Sequence, residues 1–250
     1  MPVALITGGA QRIGAHIAHA LAKAGWQVAI HYHGSSSHAE DLRKDIQAAG
    51  GGGELFAADF TTEEDVQGLL GTVSDQMGPV TCLINNASIF ENDTALNATK
   101  DSWDRHMAVN LRAPFVLSQN FAKALDGANG SIINIIDQRV WNLTPHFTSY
   151  TVSKSALWTL TQTLALAFSP NIRVNAIGPG PTLKNVRQSE EDFKAQYEAV
   201  ALKKPTDLVE ISNAVLYILS AQAMTGQMIA LDGGEHLGWA QGDNHTPPKE

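Results

Sequence analysis

Short apolar runs rich in β-branched residues alternate along this chain with longer amphipathic stretches. The runs at 3–7, 28–32, 55–58, 81–85, 131–136, 173–177 and 228–231 read as strands. The stretches at 13–24, 38–49, 63–77, 103–125, 150–168 and 207–220 carry apolar residues at helical spacing and read as helices. Strands that are apolar on both faces must be covered on both faces, and strands alternating with helices imply parallel pairing. With right-handed crossovers, the expected fold is a single-domain α/β doubly wound (Rossmann) sheet. It has seven parallel strands with helices on both faces and spans residues 1–240.

Three stretches interrupt this rhythm. The glycines at 50–53 read as a flexible turn. Gly-Pro-Gly-Pro at 178–181 follows a strand and is expected to continue as neither strand nor helix. The polar segment 182–204, with one weakly helical piece, suits a mobile lid over a site. The polar tail 241–250 is expected to be flexible.

Composition narrows the function. A formal net charge of −8 argues against nucleic acid or an anionic membrane as the main partner. No run reaches the roughly 18 apolar residues of a membrane span. No basic region precedes the first strand, so no signal peptide is evident. The single cysteine, Cys82, lies in an apolar run and reads as a buried thiol. The expectation is a cytoplasmic protein acting on a small molecule.

Candidate chemistry begins at Val-Ala-Leu-Ile-Thr-Gly-Gly-Ala-Gln-Arg-Ile-Gly, residues 3–14, which reads as strand, turn, helix. Gly8 and Gly9 permit a tight turn, and Gly14 lets the helix start pack on the sheet. Free amides around Arg12, Ile13 and Gly14 would then face a pyrophosphate. An NAD site wants a carboxylate at the end of the second strand. Here the chain reads His31-Tyr32-His33-Gly34-Ser35-Ser36-Ser37. Arg12, His33, Ser35 and Ser36 can donate to a 2′-phosphate, which favours NADPH. His31 and His33, two apart, could also face a metal together, but no third ligand is evident, so no metal is expected.

Tyr150 and Lys154 sit four apart on one helical face, thirteen residues after Asp137 begins this set. A nearby ammonium favours the phenolate, which makes the tyrosine a general acid or base. An ionised aspartate accepts hydrogen bonds and cannot donate one to a ketone oxygen. Asp137 therefore suits a substrate offering N–H donors and a protonatable ring nitrogen, either accepting from an amino group or acting as a proton source.

The motif set resembles the short-chain dehydrogenase/reductase family. It comprises Thr-Gly-x-x-x-Gly-x-Gly with Arg12 at the middle glycine, Asn85-Asn86-Ala87, Asn110, Tyr150 with Lys154, Gly178-Pro179-Gly180, and Leu231-Asp232-Gly233-Gly234. The resemblance implies that Tyr150 donates a proton, Lys154 lowers its pKa and bonds the nicotinamide ribose, and Asn110 holds a relay water. Asn86, Ala87, Pro179 and Gly180 would line the cofactor. Asp59 matches a family position contacting adenine, and it reads equally as a cap for the helix starting near Thr62. Four departures coincide: Arg12, His-Tyr-His after the second strand, aspartate for the usual serine, and Ser88-Ile89-Phe90. Together they resemble the pteridine reductases, including the dihydromonapterin reductase branch. That resemblance makes Phe90 a stacking platform and gives Ser88 and Arg12 contacts to pterin or cofactor. It places Asp137 with Tyr150 at the pterin edge and Thr182 at a cofactor phosphate. It also implies a homotetramer built partly through the helices after Trp103 and Tyr150. The leading expectation is an NADPH-dependent reductase of a dihydropterin or dihydrofolate. A carbonyl reductase of a 3-oxoacyl, sugar or steroid-like ketone is the second. A dinucleotide-sensing protein without catalysis is the third, disfavoured because Asn110, Tyr150 and Lys154 are all present.

Overall fold

The computed structural model describes residues 1–185 and 187–238. The tail expected at 241–250 lies outside the described residues. Seven parallel strands run in the order β3-β2-β1-β4-β5-β6-β7. These are β1 (Val3–Ile6), β2 (Gln27–Tyr32), β3 (Gly52–Ala57), β4 (Val80–Asn85), β5 (Gly130–Ile135), β6 (Ile172–Pro179) and β7 (Met228–Leu231). The helices are α1 (Arg12–Lys23), α2 (Ser36–Ala48), α3 (Glu63–Met77), α4 (Lys100–Met107), α5 (Ala113–Leu125), α6 (Thr148–Ala167), α7 (Glu190–Glu198) and α8 (Leu208–Ser220).

Side chains alternate across each strand, so one sheet serves two cores. Val3 and Leu5 face α3 and α5 through Val66, Leu69, Val116 and Phe121. Ala4 and Ile6 face the other way, onto Ile17 and Leu21 of α1, Ile46 of α2 and Val215 of α8. The chain winds outward from β1 to β3, then returns to lay β4 on the other side of β1. That reversal opens a crevice beyond the C-terminal ends of β1 and β4, where doubly wound sheets bind ligands.

Three expectations need correction. Only Gly50 and Gly51 form the turn expected at 50–53, because Gly52 and Gly53 pair with Gln27 and Val28 as the start of β3. Gly178 and Pro179 do continue a strand, pairing with Ala230 and Leu231. Proline is tolerated there because β5 ends its pairing at Ile177, so no ladder needs the missing N–H on that side. The helix expected at 103–125 starts at Lys100, with the Thr99 side chain capping Ser102 N, and is interrupted by a π turn at Ala108–Arg112. The weakly helical piece of 182–204 is α7, held by a capping box between Ser189 and Asp192.

Candidate active site

The turn after β1 is held by side chains from three strands. Thr7 Oγ1 accepts from the amides of Asn86 and Ala87 at 2.9 and 3.0 Å. Asn86 Nδ2 donates to the carbonyls of Thr7 and Gly8, both at 2.9 Å. Gly8 has φ +59°, and a Cβ on Gly14 would stand 2.3 Å from Gly8 O, so backbone packs on backbone where α1 begins. Gln11 supplies no side-chain cap to α1, which leaves its first-turn amides for a ligand.

His31 anchors the same turn, a role its sequence position did not reveal. Its ring is 2% exposed and stacks on Phe60 at 4.2 Å. Nδ1 accepts from Gly8 N at 3.0 Å and Nε2 lies 3.1 Å from Ala58 O, so Nε2 carries the proton. Burial pushes its pKa down to about 4, keeping the ring neutral. With both nitrogens committed, His31 cannot join His33 at a metal.

A cavity of about 470 Å³ fills the crevice. Gly8, Arg12, Ile13 and Gly14 line it along the β1–α1 turn, and His33 and Ser35 line it beyond β2. Asn86, Ala87 and Ser88 reach it from the end of β4, and Pro179, Gly180 and Thr182 from the end of β6. Phe90, Asp137, Tyr150 and Lys154 also line it. Ser36, Asp59 and Asn110 do not line it. Ser36 is the first residue of α2. Asp59 Oδ1 instead accepts from the amide and hydroxyl of Thr61, shaping the turn into α3, whose N-cap is Thr62. Asp59 Oδ2 stands 3.7 Å from His33 Nε2.

Arg12 begins α1 at φ +52°, and its guanidinium donates to the carbonyls of Leu183 and Lys184 at 3.1 and 3.0 Å. It thereby ties the helix start to the segment over the cavity. That segment also contributes Gln188 and, from α7, Gln196, to the wall.

The reactive groups converge from β5 and α6. Tyr150 OH donates to Asp137 Oδ2 at 2.9 Å, while Asp137 Oδ1 accepts from Arg139 N at 2.8 Å and caps the 3₁₀ turn Gln138–Val140. Lys154, 2% exposed, donates from Nζ to Ile135 O at 2.9 Å. Burial pushes its pKa down to about 8, and the Asp137 carboxylate works against that shift. Asn110 sits in the π turn, which aims its side chain inward. Its Oδ1 accepts from Ile89 N and Ser88 Oγ, and its Nδ2 donates to Ile89 O and Ser153 Oγ. All four hydrogen-bonding positions are used, so a water held at Asn110 would sit on its main-chain carbonyl. Its visible work is to fasten the Ser88–Phe90 loop to α6.

Phe90 lies edge-on to Tyr150 at 4.6 Å and stacked on Phe147 at 4.5 Å. The guanidinium of Arg139 stands 5.6 Å from the Phe90 ring and 5.1 Å from that of Phe147. Arg139, Gln138 and Phe147 went unread in the sequence. Arg139 and Gln138 follow Asp137 directly, and that adjacency was the available signal. Phe147 takes a left-handed φ of +56°, which no sequence pattern marks.

A family model described as enoyl-(acyl carrier protein) reductase matches residues 8–236. The chain belongs to the short-chain dehydrogenase/reductase family. Within that family, the structure of FolM alternative dihydrofolate reductase 1 from Brucella canis complexed with NADP is 46% identical. It superposes with a TM-score of 0.93, covering 97% of both chains. A dihydromonapterin reductase from Enterobacter sp. is 30% identical, over 93% of this chain and 96% of the relative. A 3-oxoacyl-(acyl-carrier-protein) reductase, FabG, from Staphylococcus epidermidis is 31% identical, over 94% and 98%. The Tyr150–Lys154 pair therefore belongs to an oxidoreductase framework.

Proposed function

We propose that this protein is an NADPH-dependent reductase of a dihydropterin or dihydrofolate, adding hydride to a ring C=N carbon. The observation that carries this reading is the Asp137–Tyr150 hydrogen bond of 2.9 Å on the cavity wall. A carboxylate here cannot donate to a ketone oxygen, but it accepts from ring or amino N–H groups. The solved relative named alternative dihydrofolate reductase and the relative named dihydromonapterin reductase support the same substrate class.

The residues present fit NADPH. The Gly8–Gly14 backbone contact and the uncapped start of α1 make a cradle for a pyrophosphate. Beyond β2 the wall offers Tyr32, His33 and Ser35 with no carboxylate, and Arg12 adds a cation, which suits a 2′-phosphate. Bound NADPH supplies the hydride. Phe90 is stacked on Phe147, with the guanidiniums of Arg139 and Arg187 each 5.6 Å from its ring centre. It would turn one face to the pterin as that ring takes the place of one of these neighbours. Tyr150 gives its proton to the ring nitrogen that gains the electron pair. Asp137 orients that hydroxyl at rest and takes the N–H edge of the substrate. The buried Lys154 ammonium stabilises the tyrosinate that remains.

The FabG relative favours a second reading, reduction of a 3-oxoacyl or similar ketone. Under it, Asp137→Ser would raise ketone turnover by restoring a hydroxyl donor. NADPH oxidation with dihydrobiopterin, dihydrofolate and a ketone panel, repeated with NADH, separates the two. Turnover of the pterins with NADPH is expected, and turnover of ketones alone would overturn the proposal. The enzyme is further proposed to be cytoplasmic and a homotetramer. Exposed Trp103 on α4 and exposed Val152 and Leu166 on α6 support that assembly, and light scattering on the purified protein tests it.

A further inference from the structure

One polar side chain on the cavity wall carries a buried oxygen with no hydrogen-bond partner among the described residues. That side chain is Gln138, which follows Asp137 and is 3% exposed, and the atom is its Oε1. Neighbouring polar groups are engaged: Asp137 with Tyr150 and Arg139 N, Lys154 with Ile135 O, and Thr182 Oγ1 with Gly180 O. Gln188 and Gln196 bond each other at 2.9 Å. A buried amide left open costs stability that an apolar side chain of the same size would not. A ligand group arriving at this wall removes that cost.

We propose that Gln138 is a specificity-determining residue that hydrogen-bonds a hydroxyl on the side chain of the pterin substrate. The proposal rests on the dihydropterin reading above. In that reading the reactive edge of the ring belongs to Asp137 and Tyr150 and its face to Phe90, which leaves the substituent for Gln138. The 3₁₀ turn carrying Gln138 packs against the turn Glu235–Leu237, and Glu235, Gln188 and Gln196 line the same cavity. A carboxamide both donates and accepts, as a hydroxyl does, so either orientation of the amide makes the pair.

The test compares kcat/KM for 7,8-dihydrobiopterin, with its dihydroxypropyl side chain, and 6-methyl-7,8-dihydropterin, which has none. Both are measured in the native protein, Gln138→Met and Gln138→Glu. The native protein is expected to prefer the hydroxylated substrate by about tenfold, the worth of one neutral hydrogen bond. Gln138→Met should erase that preference while Tm holds or rises and the KM for NADPH stays unchanged. Gln138→Glu, which keeps an acceptor, should restore part of it. A preference that survives Gln138→Met overturns the proposal. A raised KM for NADPH with both substrates makes Gln138 a cofactor contact, and a lowered Tm makes it structural, so either result also overturns it. If the native protein reduces neither pterin, the functional reading falls and takes this inference with it.

Discussion

Tyr150, Asp137 and Lys154 form a linked acid-base set whose behaviour follows from burial. Tyr150→Phe should lower turnover by a factor of about 10² to 10⁴, the usual worth of a positioned proton donor, while NADPH binds with unchanged affinity in a fluorescence titration. Lys154 carries its charge below a pKa of about 8, pushed down by burial. Activity that needs the ammonium is therefore present below that pH and falls as pH rises through it. Asp137 is the group that raises the Lys154 pKa, so Asp137→Asn should move this basic limb to lower pH. A pH profile of kcat/KM in the two proteins reads the displacement. How much of this set was legible in the sequence depends on the kind of constraint. The spacing of Tyr150 and Lys154 requires only one helix, and it was readable. The bond from Tyr150 to Asp137 requires α6 to lie against the end of β5, and only a resemblance suggested it.

At the scale of elements, the π turn and the segment after β6 decide how the wall is assembled. The extra residue in the turn at Ala108–Arg112 directs Asn110 between the Ser88–Phe90 loop, where it makes three hydrogen bonds, and Ser153 of α6, where it makes a fourth. Asn110→Ala should lower kcat for the pterin more than it raises the KM for NADPH, because Phe90 loses its support. Arg12 joins α1 to the carbonyls of Leu183 and Lys184. Arg12→Gln should raise the KM for NADPH about tenfold and speed proteolysis of the 182–204 segment, read by limited digestion. Element types were legible from periodicity, and their ends were less so. Gly52 and Pro179 look like breakers in sequence and serve as strand residues, because the neighbouring strand decides where pairing stops.

For the molecule as a whole, one buried ring sets an acid limit. The folded pKa of His31, about 4, lies below its ordinary value near 6.5. Unfolded chains take up that proton first, so stability present above pH 6.5 is lost as pH falls from 6.5 toward 4. The loss is on the order of 3 kcal/mol. Urea denaturation at stepped pH should show this slope, and His31→Gln should flatten it. Cys82 is fully buried and its thiol is pushed up to about 12. It should react with an aromatic disulfide only as fast as the whole domain opens, and NADPH should slow that reaction by stabilising the folded state.

The sequence by itself determined the layer architecture, the glycine turn, and most of the residues that line the candidate site. These depend on local periodicity and short spacings, which a chain carries before it folds. The tertiary structure decided what the side chains do there. It made His31 an anchor for the turn, gave Arg12 to the segment over the cavity, withdrew Asp59 from the wall, and left Gln138 Oε1 buried without a partner next to Asp137. Each of those roles joins residues far apart in the chain, and packing alone brings such residues within hydrogen-bond reach.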